Sequence, residues 1–247
     1  MPMLVLDLGN TAAKYGLFRA GQLAESGVLA QLVELPELLA RTSPTQAIVA
    51  AVTADSAGWL AALREEGGVG KVLLFEPGKT AIPLQNAYTT PLTLGADRLA
   101  AAVGAAYLRP ARNTLIIDAG TALKCDLVTA DNTFRGGSIG PGLRMRLRAL
   151  HEFTGRLPLL ELPPAELPVQ LTGTSTASAM LSGVLNGAVL EAQGFVTSYR
   201  RRYPSLGVLL TGGDAPYFAT RLQGRIFVVP ELVLLGLSRI LAYHVDS

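Results

Sequence analysis

Short apolar runs alternate along this chain with stretches of helical periodicity. Met3 to Leu8 is an apolar run that holds one acid, Asp7, and breaks at Gly9-Asn10, the pattern of a buried strand entering a turn. Ala13 to Phe18 predicts a second strand, and Ala20-Gly21 the turn to a third. Ala47 to Val52 and Val72 to Phe75 are further strand candidates, with a helix over 56–66 between them that Gly67-Gly68 stops. An alanine-rich helix is predicted from Gly95 to Leu108, with Leu99, Val103 and Ala106 on one face and Pro110 beyond its end. Leu115 to Ile117 begins another strand. Pro158, Pro163, Pro164 and Pro168 mark an irregular stretch over 156–171. A long helix follows from Thr176 to Arg202, and its small residues Ser182, Gly183, Gly187 and Gly194 predict the close approach of another backbone. Val208 to Leu210 reads as a strand ending in Thr211-Gly212-Gly213-Asp214, and a last helix runs from Glu231 to His244. Strands alternating with helices predict α/β architecture.

One comparison within the chain organises these elements. Leu4-Val5-Leu6-Asp7-Leu8-Gly9-Asn10-Thr11 resembles Leu115-Ile116-Ile117-Asp118-Ala119-Gly120-Thr121, with one gap at Asn10, and the match continues from Lys14 to Lys124. It implies two duplicated subdomains, 1–112 and 113–247, facing each other across a cleft; the alternative is chance similarity of two buried strands. Polar Asp and Thr recurring in register inside apolar strands favour duplication. An Asp at the end of a buried strand is costly unless it holds a cation or several hydrogen bonds. The glycine after it lets the backbone approach a ligand closely, and consecutive N–H groups can point at an anion. Two such turns could hold a nucleotide's phosphates, with Asp7 orienting a hydrated Mg2+ ion. Thr211-Gly212-Gly213 is a third turn, suited to packing against an adenosine.

Composition narrows the classes. In 247 residues, 49% hydrophobic content supplies a core and excludes intrinsic disorder. Twenty-one Lys and Arg face nineteen Asp and Glu, a net charge of +2, which argues against a nucleic-acid partner held by phosphate neutralisation. The one cysteine, Cys125, excludes an intramolecular disulfide and reads as a small buried hydrophobe, and two histidines do not suit a zinc site. Mean hydropathy is +0.36. No apolar run reaches about 18 residues, so no membrane span is predicted. Asp7 falls too early for a signal peptide, and the expected location is cytoplasmic.

The ordered set Asp-x-Gly-Asn-Thr, Asp-x-Gly-Thr and Thr-Gly-Gly resembles the acetate kinase, sugar kinase and actin superfamily; no Walker A loop is present. Further motifs sharpen this. Asn86-Ala87-Tyr88 precedes Gly95-Ala96-Asp97-Arg98, Gly136 to Gly142 reads Gly-Gly-x-Ile-x-Pro-Gly, and Gly173 to Thr176 opens the long helix. By itself Asp97-Arg98 is an ordinary helix start. In this order and spacing, nearly end to end, the motifs resemble the type III pantothenate kinase family, which makes the first intermediate of coenzyme A biosynthesis.

The resemblance implies a role for each matched position. Asp7, Leu8, Gly9, Asn10, Thr11, Ala12, Ala13 and Lys14 would bind the phosphates of ATP, with Thr121 contributing from the second turn. Tyr88, Gly95, Ala96, Asp97, Arg98 and Thr176 would bind pantothenate, with Asp97 accepting the proton of its primary hydroxyl. Asp118 would ligate a monovalent cation, K+ or NH4+, and the chain would form a homodimer whose site is completed across the interface. Two departures stand out. Leu123-Lys124 follows Ala122 where many members have Thr-Thr, so Lys124 could displace the monovalent ion or supply its charge. Thr174 rivals Thr176. Arg144, Arg146 and Arg148 are read as a solvated face, and Arg200, Arg201 and Arg202 as capping the long helix. The alternatives to this kinase are a non-catalytic regulator on the same fold and a kinase for another small hydroxy acid. The presence together of Asp7, Lys14, Asp97, Arg98 and Asp118 favours catalysis.

Overall fold

The computed structural model describes residues 2–9, 12–51, 56–66 and 68–245. An antiparallel meander opens the chain: β1 (Met3–Leu8), β2 (Ala13–Arg19) and β3 (Gln22–Leu29). Helix α1 (Leu35–Thr42) leads to β4 (Gln46–Ala51), and α2 (Ser56–Ala61), prolonged by a π turn over Ala62–Glu66, leads to β5 (Lys71–Phe75). The sheet order is β3-β2-β1-β4-β5, with β4 parallel to both β1 and β5. Leu4, Val5, Leu6, Ala47, Ile48, Val49 and Ala50 are all fully buried, as expected of central strands covered on both faces. A short strand, β6 (Gln85–Asn86), precedes α3 (Ala96–Leu108).

The next sheet repeats the first. It contains β7 (Thr114–Ala119), β8 (Ala122–Thr129) and β9 (Thr133–Pro141), then α4 (Leu143–Glu152). The long helix is α5 (Thr176–Leu181), a π turn over Ser182–Asn186 and α6 (Gly187–Arg202). β10 (Gly207–Thr211), α7 (Ala215–Ala219), β11 (Phe227–Val228) and α8 (Leu232–Val245) complete the chain. The order β9-β8-β7-β10-β11 matches β3-β2-β1-β4-β5 strand for strand, and β7 is likewise antiparallel to β8 and parallel to β10. The repeat read from two short motifs is therefore a duplicated topology. Its register carries the motif too: Asp7 lies opposite Lys14, and Asp118 opposite Lys124.

Contacts divide the chain into one unit of Met1–Pro110, Asn132–Phe134 and Glu231–Ser247 and another of Ala111–Asp131 and Arg135–Pro230. This division differs from the expected split into 1–112 and 113–247 in grouping α8 with the first unit. The cause is steric. A Cβ on Gly236 would lie 1.8 Å from the Ala100 carbonyl oxygen, and one on Gly104 would lie 2.6 Å from that of Leu232. Only glycines let α3 and α8 come this close, and the contact helps bury Leu232, Leu234, Leu237, Ile240 and Leu241. Three residues of β9's region also join the first unit, since Gln85 and Asn86 of β6 pair with Thr133 and Phe134.

In the second unit, α6 lays Ala188, Ala192 and Val196 onto Leu115, Ile117 and Leu210 of the sheet, with Leu143 and Leu147 of α4 in the same cluster. The small residues of the long helix behave differently from expectation. Ser182 donates to the Leu171 carbonyl, but a Cβ on Gly183, Gly187 or Gly194 would meet nothing within 4 Å. Among the described residues, no backbone approaches them. The helix Thr176–Arg202 is long and apolar enough to cross a membrane by length and composition, and core helices pass the same test.

Two measurements check this packing. Gly236→Val should lower stability by about 3 kcal/mol, through overpacking of α8 on α3. In urea unfolding, Gly155→Ala, where a Cβ meets nothing within 4 Å, should stay within about 0.5 kcal/mol of wild type. Cys125 is 1% exposed on β8, and burial, then the charge of Asp126, pushes its thiol up to about 12. It therefore stays protonated at pH 8. Ellman's reagent should find no reactive thiol in the native protein at that pH and one in urea.

Candidate active site

Each unit presents a hairpin turn after a strand-end aspartate. In the first, Asp7 is half-buried near the end of β1, and the Gly9 N–H donates to the Ala12 carbonyl at 3.1 Å. Leu8 and Ala13 send their side chains into the core, so any contact they make with a ligand is through backbone. Lys14 is exposed on β2, and Ala12 is half-buried. Asn10 and Thr11 lie outside the described residues.

A second group in the first unit is built around Arg98. The Asn86 Oδ1 accepts the Tyr88 N–H at 3.0 Å, fixing the turn that presents the tyrosine. Arg98 is only 5% exposed; its guanidinium carbon lies 5.3 Å from the Tyr88 ring centroid and 5.9 Å from that of Phe134. Its Nη1 donates to the Tyr88 hydroxyl at 3.4 Å. Such cation–ring contacts contribute about 0.5–2 kcal/mol where water is excluded. Phe134 was not among the sequence candidates. It arrives from the start of β9, far along the chain, and no local signal marks it. Asp97 sits in the first turn of α3, where the helix amides favour a carboxylate, and its Oδ1 accepts the Arg98 N–H at 2.8 Å. Gly95 is the N-cap, and a Cβ there would lie 2.6 Å from that same Oδ1. Ala96 is buried.

In the second unit three glycine turns meet. Lys124 Nζ lies 2.7 Å from Asp118 Oδ2, with side chains 13% and 15% exposed. The Gly120 N–H donates to the Ala122 carbonyl at 3.1 Å, and the Gly142 N–H to that of Thr121 at 3.0 Å. A Cβ on Gly142 would lie 2.1 Å from the Gly120 oxygen, so the Pro141-Gly142 turn presses directly on the phosphate-turn candidate. Gly212, at φ +94°, needs its left-handed backbone, and a Cβ there would meet Ala119 O at 2.3 Å and Asp118 Oδ1 at 2.6 Å. The Asp214 N–H donates to the Ala119 carbonyl at 2.8 Å. Thr121 is exposed at the tip of its turn.

Arginines expected on a solvated face take part in this framework. Arg144 donates to the buried Asp214 carboxylate at 2.6 Å. Arg146 donates to the Pro141 carbonyl at 2.7 Å and to Glu191 at 2.5 Å. Arg148, in an exposed i,i+4 pair with Glu152, and Arg144, whose side chain is 68% exposed, still match the expectation of a solvated face; Arg146, at 20% exposure, does not. Thr176 is the exposed first residue of α5, behind a reciprocal cap in which Ser175 and Ser178 exchange backbone-to-hydroxyl hydrogen bonds. Thr174 is exposed as well.

Among the described residues, no three His, Cys, Asp or Glu side chains group as a metal site. A lone carboxylate such as Asp7 suits Mg2+, which takes most of its ligands from water and phosphate. Asp118 does not fit a free monovalent cation, because Oδ2 already holds the Lys124 ammonium and Oδ1 lies against the Gly212 turn.

Residues 3–198 match the family model described as type III pantothenate kinase. The chain is 40% identical over 242 residues to the type III pantothenate kinase of Cytophaga hutchinsonii, covering 98% of this chain and 99% of that one. It is also 40% identical over 244 residues to that of Phocaeicola vulgatus, covering 98% of each. A solved structure of a Campylobacter jejuni protein assigned to the Baf family of transcriptional activators aligns with TM-score 0.66 at 19% identity, covering 99% of this chain and 100% of that one. A ROK hexokinase from Thermus thermophilus aligns with TM-score 0.53 at 16% identity, again covering 99% and 100%. These two likenesses speak to the fold alone, which the chain shares with both proteins. The family model and the near-full-length identities go further: this chain belongs to the type III pantothenate kinase family.

Proposed function

We propose that this chain transfers the γ-phosphoryl group of ATP to the primary hydroxyl of pantothenate, the first step of coenzyme A biosynthesis, with Asp97 as the proton acceptor. Full-length identity of 40% to kinases of that name carries this reading. The regulatory alternative rests on a likeness at 19% identity, which speaks to the fold alone.

Phosphoryl transfer asks a protein chiefly to position groups and to neutralise charge. The hydroxyl oxygen attacks the γ-phosphorus, its proton passes to Asp97, and the bond to the β,γ-bridging oxygen breaks to release ADP. Gly95 supports the role of Asp97, since the missing Cβ leaves room for its carboxylate. Arg98, packed against two rings, offers a fixed guanidinium to the pantothenate carboxylate, with Tyr88 beside it. Thr176 or Thr174 completes the pantothenate site. The turn over 7–14, Lys14 and Thr121 bind the phosphates. Mg2+ at Asp7 would neutralise charge on the phosphate oxygens.

The reading includes a homodimer in the cytoplasm, without nucleic-acid or membrane partners. Gly183, Gly187, Leu190 and Gly194 follow one another on one face of the long helix; Leu190 is 64% exposed, and the glycines have open space beside them. A second copy would supply the close backbone that the sequence anticipates. Light scattering should give twice the 25.9 kDa chain mass.

A coupled ADP-release assay with pantothenate tests the chemistry. Asp97→Asn should lower kcat by about 10²–10⁴ with an unchanged melting temperature. Gly95→Ala should displace the carboxylate and lower kcat about tenfold or more, leaving KM for ATP in place. Full activity in Asp97→Asn removes Asp97 from the mechanism.

A further inference from the structure

The second turn carries its own cation. We propose that Lys124 supplies, from within the fold, the positive charge for which the family resemblance expects a free monovalent ion, so that this chain transfers phosphate without potassium or ammonium. The inference rests on the kinase reading above and makes Lys124 a positioning residue of the phosphate turn.

Three observations carry it. Lys124 lies directly opposite Asp118 in the β7–β8 register, and its Nζ is 2.7 Å from Oδ2. The other carboxylate oxygen, Oδ1, faces the Gly212 turn, where even a Cβ would come within 2.6 Å. Both side chains are largely withdrawn from water, at 13% and 15% exposure, so the pair is poorly screened. A free cation here would meet one ammonium and a carboxylate already matched in charge. Gly120 and Thr121 follow Asp118 at once, so the ammonium is anchored at the root of the turn assigned to phosphate.

The duplication sharpens the contrast. Lys14 holds the equivalent register position opposite Asp7, yet it is exposed on its strand. One copy keeps a lysine free to reach a phosphate. The other has drawn its lysine inward against the strand-end acid, where a resident ion would otherwise sit.

The test compares rates in potassium, ammonium and tetramethylammonium chloride at equal ionic strength. Wild-type rates should agree within about twofold, while Lys124→Ala should lose about tenfold or more in tetramethylammonium and recover with potassium, ammonium or ethylammonium. Thallous-ion binding, followed by ²⁰⁵Tl NMR in nitrate buffer, should show no saturable site in wild type and one in Lys124→Ala. If Lys124→Ala does not fold, Lys124→Arg replaces it: its rate ratio between tetramethylammonium and potassium should stay near that of wild type, and it should bind no thallium. A wild-type enzyme that depends on potassium, or binds thallium saturably, overturns the proposal. So does a folded Lys124→Ala variant impaired equally in every salt. No phosphate transfer by wild type in any salt would defeat the kinase reading instead, and the thallium measurement would still decide the inference.

Discussion

Withdrawing a carboxylate from water at the end of a central strand costs free energy unless a cation or donated hydrogen bonds compensate it, and this chain does so twice, at Asp7 and Asp118. Much of the local architecture answers that cost. Each aspartate leads into a tight turn, and each faces a lysine across its hairpin. In the second unit the answer is complete: Lys124 occupies one carboxylate oxygen, and the Gly212 and Gly142 turns close around the strand end. Backbone can approach so tightly only where Cβ atoms are missing, so the glycines of these motifs are steric necessities of one cluster.

A different constraint governs the surroundings of Asp97. Helix α3 begins at the Asp97 carboxylate and continues as the partner of α8, with Gly104 and Gly236 letting their backbones touch. The Asp97 end of the helix is therefore anchored by a buried glycine contact further along it. Arg98 shows the same economy. Buried at 5% exposure against the adjoining rings of Tyr88 and Phe134, it is an ordinary first-turn residue made rigid by two other segments of the chain. Rigidity matters because a group positioned before the reaction need not be ordered during it.

Much of this was legible in the sequence, and for identifiable reasons. β1, β7 and β10 announce themselves as apolar runs stopped by glycine, and α3 by alanine content and a proline beyond its end. α4 was read only as alternating arginines, because Leu143 and Leu147 are too few to reveal an amphipathic stripe. α1, α7 and β9 went unread as well. β9 carries glycines that weaken any strand signal, and Gly137 is there because a Cβ would lie 1.9 Å from the Cys125 oxygen, a constraint imposed by its neighbour β8.

The duplication, the acids, lysines and glycines at both turns, and the motif order that marks the family can all be read along the chain. These depend on residues adjacent in the chain, and a one-dimensional pattern records them. Folding adds that α8 returns to the first unit, that Phe134 packs against Arg98, that Arg144 reaches Asp214, and that Lys124 rests on Asp118 while Lys14 stays exposed. Each of these is set by which backbones can approach one another and by how much water remains between charges. Those quantities belong to the folded arrangement, and two identical residue pairs in the same register can differ in both.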